Sequence, residues 1–352
     1  MFNEAEWILE KASDPRSNDE ILEELRVSAD DTAYSDLLTI LQARRDPELI
    51  REAIKLCKSR EVTERKIGVD ILAQNGAGRQ KILQEECVEA LLDRIMKDED
   101  SDVLAYASFA LDDYIAPRIS PSLAKLKNHS DAEVRYAVVH GLLTREDKDA
   151  IETLIKLTVD QDRNVRNWAT FGLAQQIDTD TPEIREALIR RLDDKDAEIR
   201  GEALVGLAVR DDARVIKPLV RELRTILETE DDYYDLAFEA AMEIGDARLY
   251  PELIALKEDG VENSWLDEAI ATCRVPSPED DEEPDESPTT CPVCGLKNAF
   301  PDPESDYCAR CGWTQDAEQR LNPDSTEGSN RRSLNQERER WRKRLETAKR
   351  KC

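Results

Sequence analysis

Histidine is almost missing from this chain: 352 residues contain only His129 and His140. No second histidine and no serine or cysteine partner suggests a catalytic pair with either, so both read as surface or packing residues. No Gly-rich phosphate loop is present either. The stretch "NGAGRQK" around Gly76 lacks the strand and the Lys–Ser/Thr ending that such a loop needs. No apolar run approaches the ~18 residues of a membrane helix. The start, "MFNEAEWILEKAS", has neither a basic n-region nor an apolar h-region, so it does not read as a signal peptide. Positive charge is scarce: 50 Lys and Arg face 78 Asp and Glu, a net −28. That balance argues against nucleic-acid binding by the body of the protein. It suits a soluble protein or one that meets a basic partner, and it is also common in salt-adapted organisms. No paired carboxylates or nucleophile–base set stand out, so the chain is not expected to be an enzyme. Aromatics are only 5% of the sequence. Leu, Ala, Glu and Arg dominate instead, a helical composition.

What is present is a repeat. "DAEVRYAVVHGLL", "DRNVRNWATFGLA" and "DAEIRGEALVGLA" superimpose with Val134, Val165 and Ile199 in register, offsets of 31 and 34. "DSDVLAYASFALD" puts Val103 another 31 residues upstream, and a degenerate copy puts Tyr233 34 residues downstream of Ile199. "TERKIGVDILAQNG", near Glu64, reads as an earlier and longer copy. Small or apolar residues recur at 0, +4, +7, +8 and +11, a helical spacing. Shorter apolar-periodic runs lie between copies, so each unit is a helix pair. One pair cannot bury its apolar face alone; stacked pairs can. The expected fold is therefore all-α, an α-solenoid. Asp131, Asp162 and Asp196 sit at helix N-caps, and Arg135, Arg166 and Arg200 come four residues later. These repeated charges read as a hydrogen-bond ladder between repeats.

The Asp-x-x-Val-Arg heading followed by Ala and Gly-Leu resembles the HEAT repeat, over roughly residues 46–270. The resemblance implies a right-handed solenoid whose second helices line the concave side. The stretch from Val165 to Val215 also resembles a subgroup of bacterial HEAT-repeat proteins. Some members of that subgroup are thought to be immunity proteins encoded beside Rhs-type polymorphic toxins.

One register position stands out. At +6 the copies hold Phe109, His140, Phe171 and Val205, and the flanking copies hold Asp70 and Glu239. At 100° per residue, +6 lies about 155° from the centre of the apolar face, so it should point away from the core. An apolar row ended by acids would make a partner groove. The alternative is that the row packs on an adjacent helix or repeat.

Residues 276–290, "PSPEDDEEPDESPTT", hold seven acids and four prolines. Such a segment stays extended and should let the C-terminal residues move independently of the solenoid at 1–275. The C-terminal region, 291–352, opens with two Cys-x-x-Cys-Gly knuckles: Cys291 and Cys294, then Cys308 and Cys311. Four thiolates suit one tetrahedral Zn²⁺ and leave no open position for substrate, which points to a structural, zinc-ribbon-like module. Iron or a regulatory thiol switch are the alternatives; a thioredoxin-like motif would need one pair in a βαβ setting. The scattered Cys57, Cys87, Cys273 and Cys352 fit a reducing cytoplasm.

The module resembles the bacterial cysteine-rich CPCC family over residues 290–340. The matching elements are the two knuckles, Trp313, Asn322-Pro323-Asp324, and Gly328, Asn330 and Ser333-Leu334-Asn335. Val293 stands where the family name implies a third adjacent cysteine. The chain ends in a basic helix: residues 331–352 carry ten bases and three acids. Ser333 and Gln336 fit a capping box, and Leu334, Trp341, Leu345 and Ala348 form a thin apolar stripe. This helix could pack on the module or on the acidic solenoid, or it could touch nucleic acid. The sequence thus favours a protein-binding scaffold, an immunity protein in its sharper form, with nucleic-acid binding through 331–352 as the alternative. Some HEAT relatives act on tetrapyrrole-bearing proteins, but no chemistry in this chain supports that.

Overall fold

The computed structural model describes residues 4–73, 75, 81–228, 234–276, 289–297, 299–300, 307–308 and 310–351. Tyr233, Gly76, Cys352 and most of the acidic segment lie outside these residues. The chain divides into two compact units, Met1–Thr179 and Asp180–Cys352. No strand occurs among the described residues; the extended pairing consists of one isolated antiparallel bridge, Tyr307 to Thr314.

The first unit holds α1 (Glu4–Ala12), α2 (Asn18–Val27), α3 (Asp31–Arg44), α4 (Pro47–Leu56), α5 (Val62–Ala73), α6 (Gln84–Lys97), α7 (Ser101–Ala110), α8 (Ile119–Leu123), α9 (Ala132–Leu142), α10 (Lys148–Leu157) and α11 (Arg163–Gln175). Helices pair as α4 with α5, α6 with α7, α8 with α9 and α10 with α11. The second helices then stack on one another, α5 on α7, α7 on α9 and α9 on α11. The second unit repeats this plan with α12 (Pro182–Arg191), α13 (Ala197–Ala208), α14 (Ile216–Thr225), α15 (Tyr234–Ile244), α16 (Tyr250–Glu258) and α17 (Ser264–Cys273), where α13 stacks on α15 and α15 on α17. Two more helices belong to the cysteine module, α18 (Ala317–Leu321) and α19 (Leu334–Lys351).

The repeat registers explain the stacking. The zero positions Val103, Val134, Val165 and Ile199 are fully buried. Asp131, Asp162 and Asp196 each cap their helix, accepting from backbone N–H groups one turn in. The arginines behind them make the expected ladder. Arg135 grips the Asp160 carboxylate with two 2.8 Å bonds and reaches the carbonyl of His129. Arg200 does the same to Glu222 and the carbonyl of Asp194. Arg65 pairs with Asp98 in an earlier copy. Each guanidinium ties its helix N-terminus to the turn before it, so every one of these repeats carries its own staple.

Candidate functional site: a four-cysteine centre and an aromatic face

The cysteine centre is built by two near-identical turns. The amide of Gly295 donates to the carbonyl of Cys291, and that of Gly312 to the carbonyl of Cys308. Gly295 and Gly312 have φ of 74° and 79°. This left-handed backbone is what lets each knuckle reverse after its second cysteine. The Cys308 amide also donates to the carbonyl of Trp313.

The result brings all four sulfurs within 4.8 Å of one another, with Cys291 to Cys311 at 3.5 Å and Cys294 to Cys308 at 3.7 Å. A tetrahedron of thiolates at zinc–sulfur distances has edges of about 3.8 Å. The four side chains are buried, Cys311 the least at 8% exposure. Burial pushes the Cys311 thiol well up. The four close, buried sulfurs fit a divalent metal closed off from solvent. Val293, at the position of the departure from the family name, is buried in the same cluster and leaves the four-sulfur set complete.

The rest of the module folds around that centre. Trp313, Leu334, Trp341 and Leu345 share one core with the four cysteines. Ser333 and Gln336 form the expected reciprocal cap at the start of α19. The polar positions of the family resemblance tie down the loop between α18 and α19. Asn335 donates to the carbonyl of Pro323 and to Asp324. Asn330 spans Thr314 and Gln319. Gln319, a residue with no sequence signal, is fully buried and donates to the carbonyls of Ser325, Asn330 and Arg332. Gly328 is required here: its φ is 135°, and a Cβ would lie 2.6 Å from the Asp316 carboxylate.

The expectation that the module moves apart from the helical repeats is corrected by its contacts. Within the second unit it is bolted to α15 and α17. Arg331 pairs with Glu239 and Glu243 at 3.0 and 3.3 Å. Arg332 pairs with Glu243 and Asp211. Arg340 donates to the carbonyls of Glu243 and Ile244 at the end of α15, and Arg344 to that of Arg274 just past α17. Cations at helix C-termini meet the negative end of each macrodipole. Gly312 faces Thr272 so closely that a Cβ there would lie 2.0 Å from its hydroxyl. A composition-based reading sees an acidic linker and misses this, because linker composition says nothing about what its two ends touch. Glu239 is therefore not an open groove end. As in the packing reading of 331–352, most of its described basic residues hold this chain's own carbonyls or acids, Arg338 included through the carbonyl of Pro292.

The first unit holds the +6 row. Phe109, His140 and Phe171 are half-buried. Tyr136 and Trp168 join them in one continuous ring array. Phe109 lies edge-on to Tyr136 at 5.9 Å, Tyr136 is 4.6 Å from His140, His140 is 4.4 Å from Trp168, and Trp168 meets Phe171 edge-on at 5.4 Å. These geometries are the favourable tilted and T-shaped ones. The Nε2 of His140 is buried without a hydrogen-bond partner among the described residues, and burial lowers the pKa of the ring. Tyr136 and Trp168, at +2 and +3, do not belong to the row expected from the repeat register. A signal for them exists in the sequence, since five of the chain's 18 aromatics fall on α7, α9 and α11.

Two further positions fall elsewhere. Val205 is fully buried, because α13 is enclosed on nearly every side: each residue from Ala203 to Ala208 is core. It is packing and not groove. Asp70 is half-buried on α5, and its carboxylate accepts a 2.6 Å bond from the Tyr34 hydroxyl.

Comparison with known proteins agrees with this architecture. The HEAT-repeats family matches residues 88–174, and the cysteine-rich CPCC family matches residues 289–349. Protein YibA of Escherichia coli K12 and its O157:H7 counterpart are each 30% identical over 237 residues, 66% of this chain and 82% of theirs. The X-ray structure of the Escherichia coli YibA protein superimposes with a TM-score of 0.61 at 25% identity, covering 78% of this chain and 97% of that one. Stacked helix pairs, capped by aspartate and stapled by arginine, thus coincide with a relative matched over most of its length, and the chain belongs to the family of Escherichia coli YibA, a HEAT-repeat-like helical scaffold.

Proposed function

We propose that this chain is a non-enzymatic, cytoplasmic scaffold that grips a protein partner through the second-helix face of its first unit. Its sharper role is immunity, neutralising a toxin encoded beside it. The carrying observation is the ring array from Phe109 to Phe171. Large rings held edge to face across three successive helices form a rigid, half-open apolar surface, and such aromatic anchors dominate protein interfaces. The acidic charge of the chain favours a basic partner by raising the association rate.

The four-cysteine centre belongs to this reading as a support. Cys291, Cys294, Cys308 and Cys311 would hold one structural Zn²⁺ as thiolates. The metal would supply folding energy to the module and no catalytic position, since protein sulfur fills its shell.

The test is protection. Co-expressed with the toxin-like product of a neighbouring gene, the chain should rescue growth and co-purify with it. Phe171→Ala and Trp168→Ala should weaken binding by roughly fivefold to a hundredfold each, the range of a well-packed interface anchor. Arg190→Ala, a change on α12 of the second unit, should do nothing. If both aromatic variants fold and bind as the parent does, the face is not the docking surface.

A further inference from the structure

Beside the aromatic row, α3, α5 and α7 enclose an open cavity of 580 Å³, the size of a small-ligand site. Tyr34, Tyr106 and Phe109 supply its rings, and Asp31, Asp70, Asp112 and Asp113 its carboxylates. Phe109 belongs to both the cavity and the row, so one surface runs into the other.

The carboxylate of Asp70 is under-used. Its Oδ2 takes the Tyr34 hydroxyl, and among the described residues no cation forms an ion pair with it. Burial raises its pKa to about 6, the mark of a carboxylate short of countercharge. Burial also raises that of Asp112, with the charge of Asp113 adding to it. Lys66, the nearby ammonium, is held by Asp102 at 2.8 Å and lies 5.6 Å from the centre of the Tyr106 ring. That ring already accepts one cation.

We propose that this cavity is a socket for a basic side chain, lysine or arginine, presented by the protein partner that the aromatic row grips. The inference rests on that row being the docking face. Rings attract a cation electrostatically, and a shielded carboxylate completes the charge; a neutral side chain gains neither. A metal ion is a poor alternative, because these carboxylates do not converge: among the described residues, the cysteine centre is the donor cluster of metal-binding size.

The experiment titrates the full chain with the capped pentapeptide Gly-Gly-Lys-Gly-Gly, its arginine analogue and its norleucine analogue, and tracks backbone amide shifts. The lysine and arginine peptides should move amides around Asp70, Tyr106 and Phe109; norleucine should not. Asp70→Asn should weaken binding about tenfold, and Tyr106→Leu about threefold, by loss of charge pairing and of a cation–π contact. Shifts spread evenly over the acidic surface would overturn the proposal. So would parental affinity in both variants, provided their amide spectra show an intact fold. In that event a loss of partner binding in Phe171→Ala would still uphold the aromatic face, so the two claims fail separately.

Discussion

One repeat position has opposite fates in the two units. In the first, the +6 residues Phe109, His140 and Phe171 stay half-buried in a ring array. In the second, Val205 disappears into the core, and Glu239 lies under Arg331 from the C-terminal module. Helical register decides where a side chain points. It does not decide what is waiting there. In the second unit the chain supplies its own cover, and in the first the same face keeps its aromatic side chains at the surface. The contrast separates a face built for assembly of the chain from one suited to a partner.

The strongest way to break this comparison is to remove the cover. Replacing Cys294 and Cys311 with Ser, or stripping metal with a chelator, should unfold the module and release Arg331, Arg332, Arg340 and Arg344 together. A structural metal site contributes folding energy outright, so the second unit should lose several kcal/mol and melt about 10 °C lower. Amide exchange should accelerate in α15 and α17 and stay unchanged in α5, α7 and α9. Unchanged protection in α15 and α17 would mean that the module is a passenger. A gentler form is Gly312→Ala. It meets both a φ of 79° and Thr272, and should cost about 2–3 kcal/mol.

The register itself is tested next. Val205→Ala empties core space and should destabilise by about 2 kcal/mol, with no effect on partner binding. Phe171→Ala should cost less than half of that while weakening the partner. If the two variants trade places, the assignment of faces is reversed.

These contrasts show what periodicity can carry. The Asp caps, the glycine-assisted knuckles and the Ser333–Gln336 box are legible in the sequence because each is fixed by residues within one or two turns. The Arg ladder, whose acids lie 22 to 33 residues further on, is legible because the repeat returns the same residue types to the same register. Val205 is misplaced by register alone because an angle on an isolated helix ignores neighbours, and α13 is enclosed by them. The module's docking escapes for a related reason. Arg331 and Arg332 meet Glu239 and Glu243 across about 90 residues of chain, and only the fold brings such charges together. The link between Tyr136 and Trp168 is hidden by their different registers, +2 and +3, which converge only when α9 and α11 stack.

The smallest predicted effect compares two acids. Glu243 is surrounded by guanidinium groups from Arg331 and Arg332, whereas Asp70 has no such partner. The groups facing Asp70 are the Tyr34 hydroxyl from α3, Lys66 on its own helix and the Tyr106 ring from α7. Its folded pKa of about 6 lies above the ordinary carboxylate value of 3.8. Between pH 6 and pH 4 the folded state therefore holds a proton that the unfolded state has released. Asp70 thus makes the fold more stable as pH falls through that window, and the benefit is gone above pH 6. Asp98 and Asp160, held low by Arg65 and Arg135, act in the opposite direction, so the whole-protein profile alone is uninformative. The difference between parent and Asp70→Asn isolates the effect. Asn keeps an acceptor for Tyr34 and carries no charge, so the variant should be about 1 kcal/mol more stable than the parent at pH 8 and nearly equal at pH 4, with denaturant midpoints as the measurement. Burial also raises the pKa of Glu243, but Glu243→Gln leaves two guanidiniums short of a counterion and should therefore be destabilising at pH 8. If Asp70→Asn is destabilising at pH 8, then Asp70 is already satisfied within the fold, and the first unit has no vacant charge to offer a partner.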